Sequence, residues 1–411
     1  MALKDRRFLF LQGPQSYFFA QLFDALTARG VRAGKVNFCG GDVFLWGRRP
    51  ADWYRGTVYD WPTWIGKKFR EEKVTDLCLY GDWRPLHWEA IRLARNLGIR
   101  IWVFEEGYLR SGYSTLEENG VNGRSLLPSS AHEIHALASS LAESEAPVFE
   151  NDLRDKVHKA ILHHVGNVLL WPCFYRYKTH RPQNIFFELI GLLPRFLRRK
   201  DRQRRSQATL TAFYEDKSPY FFFPLQLNSD SQVQLYSPYV RMQEAIAGVL
   251  ASFSKHAPDK TRLLIRNHPL DNGLISYRKL IRAFSRELGI ENRVFFVEDG
   301  PTNQMVEQSC GVILINSTVG MMALEAGKSV YCLGRAVYNI EGLTQCYPFT
   351  TVDDFWNHTV APSARLWTDF KKVLKERALI EGNFYSPAAQ KRAVEAAIHR
   401  FEHPIAKAKS K

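Results

Sequence analysis

The first hundred residues alternate short apolar runs with longer segments in which apolar positions recur every three or four residues. The apolar runs are nearly continuous, which is typical of parallel strands covered by helices on both faces. The longer segments, 16–30 and 87–98, have the helical period and end in glycine. The alternation predicts a doubly wound α/β domain. Its strands are expected within 7–13, 33–42, 75–85 and 99–110, with a Gly-Gly turn after the second.

A second series of the same kind begins after the middle of the chain, with amphipathic segments of helical length between apolar runs. Its strands are expected within 219–227, 261–269, 292–299, 310–318 and 328–334. The fold class is therefore predicted as α/β, with two doubly wound, Rossmann-like domains facing a cleft. That is the arrangement of GT-B glycosyltransferases. Sugar epimerases and phosphorylases share it, so the fold alone does not decide the reaction.

The segment between the two series differs in composition. It is helical and aromatic, then strongly basic, with seven Arg or Lys residues among the fourteen positions 194–207. This run is either a solvated helix face or linker, or a patch for anionic lipid headgroups, because apolar residues adjoin the cations. We predict a first domain at 1–150, a connecting segment at 151–215, a second domain at 216–380, and a C-terminal helix with a basic tail at 381–411.

The composition favours a folded, basic protein with anionic partners. The chain has 411 residues, of which 45% are hydrophobic, and a net charge of +14. Nucleic-acid binding is not indicated, because the cations cluster in one run without a recognition motif. The six cysteines are scattered without paired spacing, which fits a reducing cytoplasm. The N-terminal apolar run is too short for a signal peptide, and no run reaches the ~18 residues of a membrane span. We expect a soluble or peripheral protein.

Polar residues stand at three strand ends of the second predicted domain. Because the carboxyl ends of parallel strands share one edge of the sheet, these residues are expected to face one crevice. Ser317 and Thr318 also open a predicted helix, where hydroxyls and backbone N–H groups suit a phosphate, although a plain helix cap has the same residues. Glu325 is either a ribose ligand or a solvent-facing residue. The donor-site candidates are Gln226, Arg266, His268, Pro269, Asn316, Ser317, Thr318 and Glu325.

Strand ends in the first predicted domain combine carboxylates with arginines, in "GDWRP" (81–85) and "EEGYLR" (105–110). Adjacent glutamates beside arginines suit a general base or nucleophile that handles an acidic sugar, whereas a buried Arg–Glu network would only hold the loops. The candidates for catalysis are Glu105, Glu106 and His268. Those for the acceptor or sugar are Gly13, Asp42, Asp82, Arg84, Arg110, His180 and Arg181. No metal is expected, because the histidines lack ligand spacing.

Several longer motifs together resemble one family. They are "FLFLQGP", "VNFCGGD", "DWP", "YGDWRP", "VFEEGYLR", "GVNG", "NHPLDNG" and "INSTVGMMALEAGKSVYCLGRAVYNIEGLT". The chain is similar in these, from about residue 7 to 345, to capsule polysaccharide biosynthesis proteins of the KpsS/LipB type.

The resemblance implies a function. Members are retaining β-Kdo transferases of GT-B fold that use CMP-β-Kdo as donor substrate, and we expect no cofactor. They build a short poly-Kdo linker on lyso-phosphatidylglycerol, the lipid anchor of Gram-negative capsules. The KpsS-type enzyme adds the first Kdo, and a two-domain partner of the KpsC type extends it. A cytoplasmic enzyme at the inner membrane, working with capsule export machinery, is therefore implied.

Site residues are implied by the same resemblance. His268-Pro269 matches the His-Pro motif that contacts the CMP phosphate, and Asn316–Thr318 matches the motif that completes this pocket. Glu105-Glu106-Gly107 matches an acidic-acidic-glycine motif of the catalytic cleft. The two-domain relatives use an aspartate nucleophile in a later segment, and 174–184 shows no clear equivalent of it.

Two alternatives stay open at this point. One keeps the GT-B fold but uses a UDP-sugar, as a transferase or an epimerase. The other is a non-catalytic scaffold of the capsule export complex that binds lipid or polymer. A scaffold would tolerate replacement of the strand-end residues but not loss of the Arg198–Arg205 cluster.

Overall fold

The computed structural model describes residues 1–109, 112–143, 149, 153–178 and 198–405. The chain divides into two compact units. The first comprises residues 1–127, 141–180 and 372–411, and the second comprises residues 128–140 and 181–371. Among the described residues, no helix is both long and apolar enough to cross a bilayer.

A seven-stranded sheet forms the centre of the first unit. Its strands are β1 (Arg7–Phe10), β2 (Arg32–Asn37), β3 (Asp52–Trp53), β4 (Asp76–Tyr80), β5 (Arg100–Glu106), β6 (Tyr113–Glu118) and β13 (Leu379–Glu381). The order across the sheet is β13-β6-β5-β4-β1-β2-β3. Strands β1 to β5 are parallel, with Leu9 between Gly34 and Leu77, and β6 is antiparallel to both neighbours. The parallel part is doubly wound from β1 outwards.

Helices cover both faces of this sheet. They are α1 (Phe18–Thr27), α2 (Gly40–Trp46), α3 (Trp61–Glu71), α4 (Pro85–Asn96) and α15 (Pro387–Glu402), while α6 (Leu153–Leu169) packs on α2. Phe18 of α1 and Phe401 of α15 lie in one apolar cluster with Phe104. Ile65 of α3 and Ile91 of α4 lie in a second cluster on the other face. Burial on both faces explains why the strands read as continuous apolar runs.

The second unit contains a six-stranded sheet. Its strands are β7 (Tyr220–Pro224), β8 (Arg262–Arg266), β9 (Val294–Val297), β10 (Gly311–Leu314), β11 (Ser329–Cys332) and β12 (Gln345–Cys346). All are parallel, in the order β12-β11-β10-β7-β8-β9, and Phe222 lies between Leu264 and Val312. This is the strand order of the dinucleotide-binding Rossmann fold. The prediction of two doubly wound α/β domains is confirmed.

The helices of the second unit again alternate with its strands. They are α5 (Ala131–Ala138), α7 (Arg199–Glu215), α8 (Ser231–Tyr236), α9 (Met242–His256), α10 (Tyr277–Glu287), α11 (Thr302–Glu307), α12 (Val319–Glu325) and α13 (Val352–Phe355). Helix α14 (Ala364–Ala378) contains the boundary between the units. Phe253 of α9 and Ile281 of α10 pack with Phe223 and Ile265 in the main apolar cluster.

The C-terminal segment differs from the predicted domain boundaries. Residues 372–411 join the first unit, whereas the sequence placed residues up to 380 in the second domain and 381–411 apart. Strand β13 pairs with β6, with Ile380 opposite Ser114. The guanidinium of Arg400 donates to the carbonyl oxygens of Arg377 and Leu379, which holds α15 against this edge. These contacts join residues far apart in the chain, so local patterns do not reveal them.

The basic run also has a local structural role where it is described. Residues 199–207 lie in α7, and residues 194–197 are outside the described residues. The hydroxyl of Ser206 accepts hydrogen bonds from the backbone of Glu298 and Asp299, and Arg202 lies 3.6 Å from the Glu298 carboxylate. One face of α7 therefore packs at the end of β9. Its other cations are exposed.

Candidate active site

The carboxyl edge of the second sheet brings together most of the predicted donor-site residues. Strands β10, β7 and β8 are neighbours and parallel, so the loops that follow them leave the sheet at the same edge. From β7 the chain passes to β8 and β9 on one side, and it then crosses to β10 on the other side of β7. Ligands of doubly wound proteins bind at such a switch point. The predicted residues at or just after the ends of these three strands are Gln226, Arg266, His268, Asn316, Ser317 and Thr318.

Backbone contacts fix the imidazole of His268. Its Nδ1 accepts a hydrogen bond from the backbone N–H of Leu270 at 3.1 Å, and the backbone N–H of His268 donates to Oδ1 of Asn267 at 2.9 Å. Because Nδ1 is an acceptor here, the proton of the neutral ring resides on Nε2. The side chain is half-buried, beside the exposed Pro269. His268 is therefore oriented as a hydrogen-bond donor at this edge.

Arg266, the last residue of β8, supplies a positive charge to the same edge. Burial lowers the pKa of its guanidinium, and the nearby Asp299 carboxylate opposes that shift. Within the described residues, its Nε is buried without a hydrogen-bond partner. A partly desolvated guanidinium is a strong site for an anionic oxygen.

Gln226 and Asn316 bind each other. The Gln226 amide donates to Oδ1 of Asn316 at 3.0 Å, and its oxygen accepts the Asn316 backbone N–H at 3.0 Å. Nδ2 of Asn316 also donates to the carbonyl oxygen of Gln232 at 2.8 Å. These hydrogen bonds join the loops after β7 and β10. Gln226 and Asn316 therefore hold the two loops together at the carboxyl edge of the sheet.

Ser317 and Thr318 lie directly before α12, half-buried. The Ser317 hydroxyl accepts the Val319 backbone N–H at 3.2 Å, and the Thr318 hydroxyl makes no capping bond to the helix. Tyr338 donates its hydroxyl to the Ser317 carbonyl oxygen. Gly320 allows this approach, because a Cβ there would lie 2.3 Å from the Tyr338 oxygen. The turn before α12 is thus closely supported.

Glu325 lies at the opposite end of α12 and pairs with α14. Its carboxylate accepts from Nε1 of Trp367 at 2.6 Å and from Nζ of Lys371 at 2.8 Å. These contacts give Glu325 a structural role. Its predicted contact with ribose stays a prediction.

In the first unit, a polar cluster lies where β1, β2 and β4 end. Arg84 donates to Oε1 of Gln12 at 2.6 Å, and Nε2 of Gln12 donates to the Asp42 carboxylate at 3.0 Å. Asp42 also accepts the backbone N–H of Phe38. Gln12 and Asp42 are buried. The predicted residues Asp42 and Arg84 therefore meet through Gln12, which the sequence analysis missed.

Lys35 and Tyr177 complete this cluster and were also missed. Burial lowers the pKa of Lys35 to about 8, although Asp42 opposes the shift. Nζ of Lys35 donates to the carbonyl oxygens of Leu11 and Val36. The Tyr177 hydroxyl donates to Gln12 at 3.3 Å. A lysine inside an apolar strand was the available signal for Lys35. Tyr177 is distant in sequence and gave none.

Glu105 and Glu106 end β5 in different surroundings. Burial raises the pKa of Glu105 to about 7, so this carboxyl exchanges its proton near neutral pH. Glu106 is exposed, accepts the Tyr385 hydroxyl, and lies 3.8 Å from Nζ of Lys156 on α6. Neither Lys156 nor Tyr385 was predicted, because both come from distant segments. A carboxyl group that gains and loses a proton near neutral pH, such as Glu105, suits acid–base catalysis. An exposed carboxyl beside it, such as Glu106, suits electrostatic stabilisation of positive charge.

Asp82 belongs to a buried network beside the β4 end. Arg124 lies 3.6 Å from its carboxylate, and the backbone N–H of Val121 donates to it at 3.4 Å. Nearby, Glu117 accepts the hydroxyls of Tyr108 and Ser125, and burial raises the pKa of Glu117 to about 8. A buried network of carboxylates and an arginine that holds the loops is the alternative that the sequence left open for the acidic residues.

Gly13 is the one remaining predicted site residue that the structure describes. Gly13 follows β1, and a Cβ there would lie 2.7 Å from the ring of Phe19, so the residue has a packing reason to be glycine. Arg110, His180 and Arg181 lie outside the described residues.

One group among the described residues has metal-ligand chemistry. The ligand atoms of Cys39, Asp42 and His163 are buried and lie within 4.8 Å of one another. These residue types bind zinc. The ammonium of Lys35 interacts with both Asp42 and Cys39, however, and would repel a second cation. We assign no metal to this group. It escaped the sequence analysis because its ligands come from α6 and from the start of α2.

Two doubly wound sheets with polar carboxyl edges define an α/β protein of the class that binds ligands at these edges. The chain belongs to the family of capsule polysaccharide biosynthesis proteins, whose sequence profile matches residues 75–385. The resemblance predicted from the motifs is confirmed.

Individual relatives extend this match to most of the chain. The chain is 33% identical over 390 residues to the capsule polysaccharide export protein KpsS of Escherichia coli, covering 93% of this chain and 98% of that protein. It is 31% identical over 396 residues to the capsule polysaccharide modification protein LipB of Neisseria meningitidis serogroup A, covering 92% and 91%. A solved KpsC β-Kdo 2,7 transferase of Thermosulfurimonas dismutans is similar over 97% of this chain and 99% of its own, with 15% identity and a TM-score of 0.47. Structural similarity at this level of identity carries no argument about the reaction that this chain catalyses.

Proposed function

We propose that the protein is a retaining β-Kdo transferase that moves Kdo from CMP-β-Kdo to an anionic lysophospholipid such as lyso-phosphatidylglycerol. It would catalyse the first step of a poly-Kdo linker, at the inner-membrane surface of the cytoplasm, beside a second Kdo transferase of the KpsC type and the export machinery. Family membership supports the pathway, and the strand-end chemistry supports the donor.

The carboxyl edge at β8, β7 and β10 is the observation that carries the proposal. Its Arg266 guanidinium and the Nε2–H of His268 are hydrogen-bond donors for a phosphate oxygen. The hydroxyls of Ser317 and Thr318 border the same edge. When CMP leaves, negative charge grows on its phosphate, and donors already in place stabilise that charge. The proposal includes no metal.

The first unit supplies the carboxyl groups of the proposed reaction. In the net transfer the acceptor hydroxyl oxygen bonds to the anomeric carbon, the bond from that carbon to the phosphate oxygen breaks, and CMP leaves with the bonding electrons. Glu105, with a pKa of about 7, takes the hydroxyl proton. The Glu106 carboxylate stabilises positive charge at the anomeric carbon. Either glutamate has the carboxylate that a retaining, two-step transfer also needs.

Nucleotide binding tests the donor assignment. Calorimetry should show that CMP binds the purified protein more tightly than UDP, and that His268→Ala weakens CMP binding about tenfold, because one bond to a charged group is lost. The control is His132→Ala, at an exposed position of α5, which should bind CMP as the wild type does. Tighter binding of UDP, or unchanged CMP binding by His268→Ala, would contradict the proposal.

A further inference from the structure

Helix α6 has one face that is buried in the first unit. Lys159, His163 and Gly166 line this face. Nζ of Lys159 donates to the carbonyl oxygen of Tyr385, and Gly166 lies so close to Gly40 that a Cβ on Gly166 would be 2.6 Å from the Gly40 oxygen. These contacts fix the rotation of α6 about its axis. The residues on its opposite side are therefore held outward.

The outward side of α6 is apolar. Its valine and isoleucine side chains recur at helical spacing, between 43% and 71% exposed, and the apolar surface continues past the end of the helix. We call this surface the α6 outer face. It consists of Val157, Ile161, Val165, Val168, Leu169, Trp171 and Tyr175. A surface helix normally packs its apolar side against another part of the protein, whereas the apolar side of α6 is exposed. A contiguous exposed apolar surface of this kind marks an interaction site.

Positive charges flank both ends of the α6 outer face. Arg154 is exposed at the start of the helix, and Arg176 and Lys178 are exposed after its end. The acidic side chain of α6, Asp155, lies 3.9 Å from Nζ of Lys159 on the buried side. Exposed cations therefore stand at both ends of the α6 outer face.

Aromatic residues stand at the C-terminal end of the same surface. Trp171 and Tyr175 are both well exposed, and each has a large apolar ring with a polar group at its edge. Such side chains prefer the boundary between hydrocarbon and water. An apolar stripe, cationic flanks and interfacial aromatics are the features of a helix that lies in the plane of an anionic membrane surface.

We propose that the α6 outer face docks the protein on an anionic phospholipid bilayer, with α6 lying parallel to the surface. Lys156 on the same helix pairs with Glu106. If the proposed transferase function holds, the docked helix brings a lipid headgroup to the Glu105–Glu106 end of β5. This surface is separate from the basic run at 194–207, which the sequence analysis considered for lipid contact.

Vesicle flotation tests the docking with the full chain. Wild type should float with vesicles of phosphatidylcholine plus phosphatidylglycerol and much less with phosphatidylcholine alone, and salt should weaken the binding. Ile161→Glu with Val168→Glu should weaken binding roughly tenfold or more, because two side chains can no longer enter the bilayer. Both positions are exposed, so an unchanged circular dichroism spectrum and melting temperature are expected. The control is Val360→Glu, an exposed apolar position of the second unit, which should float as wild type does.

Several outcomes would overturn the docking proposal. They are wild type that does not float with anionic vesicles, a double variant that floats as wild type does, and a wild-type dimer that the double variant dissociates without any vesicle binding. The last outcome would assign the surface to a second copy of the chain. The transferase proposal has a different readout. Protein that floats as predicted but releases no CMP from CMP-Kdo would contradict the transferase proposal and leave the docking proposal standing.

Discussion

Glu105 and Glu117 have raised pKa values for the same reason, which is burial of the carboxyl group. The two carboxyl groups differ in their hydrogen-bond partners. Glu105 ends a strand beside the Tyr80 hydroxyl, whereas Glu117 lies in the middle of a hydrogen-bonded network with Tyr108 and Ser125. Glu105 can therefore exchange a proton with a ligand, and Glu117 serves the structure of the loop.

The pKa of Glu105, about 7, predicts the pH dependence of transfer. A base must be unprotonated, so kcat/KM for CMP-Kdo should rise up to pH 7 and level off above it. Glu105→Gln should lower kcat by a factor of about 10² to 10⁴ and remove this rise. Glu71→Gln, at an exposed position of α3, is the control. A wild-type rate that falls through pH 7, or a Glu105→Gln profile that keeps the rise, would show that Glu105 is not the base.

The pKa of Glu117, about 8, predicts a stability effect of opposite direction to the usual carboxylate. Because the folded state raises this pKa, its contribution to stability is full at low pH and is lost as pH rises through 8. The melting temperature of Glu117→Gln relative to wild type should therefore increase between pH 6.5 and pH 9, by roughly 2–4 °C for each kcal/mol. A constant difference for Glu117→Gln would refute a buried, protonated carboxyl.

The sequence located His268 and Glu105 at strand ends, and the structure has them there, while their roles in the site stay predictions. The orientation of His268 and the pKa of Glu105 could not be predicted from sequence. The Nδ1 contact of His268 depends on the path of the loop through Leu270, and the raised pKa of Glu105 depends on its burial. Gln12 was missed because an amide near a strand end has no distinctive local pattern. Lys35 was missed although a lysine within an apolar strand, β2, is a visible signal.

At the scale of elements, the contact between α2 and α6 explains the Gly-Gly pair. The sequence analysis predicted a turn there, which is wrong, since Gly40 and Gly41 open helix α2. A Cβ on Gly40 would lie 1.9 Å from the carbonyl oxygen of Gly166, and one on Gly41 would lie 2.1 Å from the ring of His163. Two helix backbones thus touch. Glycine is as characteristic of turns as of such contacts, so the sequence did not distinguish them.

This close contact predicts a sensitive position in the middle of α6. Gly166→Ala should destabilise the first unit by about 1–3 kcal/mol, because the clash is with backbone that cannot move aside. Gly248→Ala in α9 is the matched control. Its nearest neighbour would be 3.7 Å from the new Cβ, so this change should be neutral or stabilising. Thermal unfolding measures both, and equal melting temperatures would contradict the packing of α6 on α2.

For the whole molecule, the two units share the order of their parallel strands and the location of their candidate site residues. Each sheet is wound outwards from its first strand, and each has its candidate residues at the carboxyl edge. Apolar runs alternating with helical segments were sufficient to predict this architecture. They were insufficient for β13 and α15, whose place in the first sheet depends on contacts across most of the chain, such as Ile380 with Ser114.

The central claim is transfer of Kdo from CMP-Kdo to a lysophospholipid, and product mass spectrometry tests it most directly. Purified protein, CMP-Kdo and synthetic lyso-phosphatidylglycerol should give the acceptor plus one Kdo residue, together with an equal amount of CMP. His268→Ala should give neither above background, and His132→Ala should give both. Full product formation by His268→Ala, or an acceptor left unmodified by wild type that binds CMP, would contradict the account.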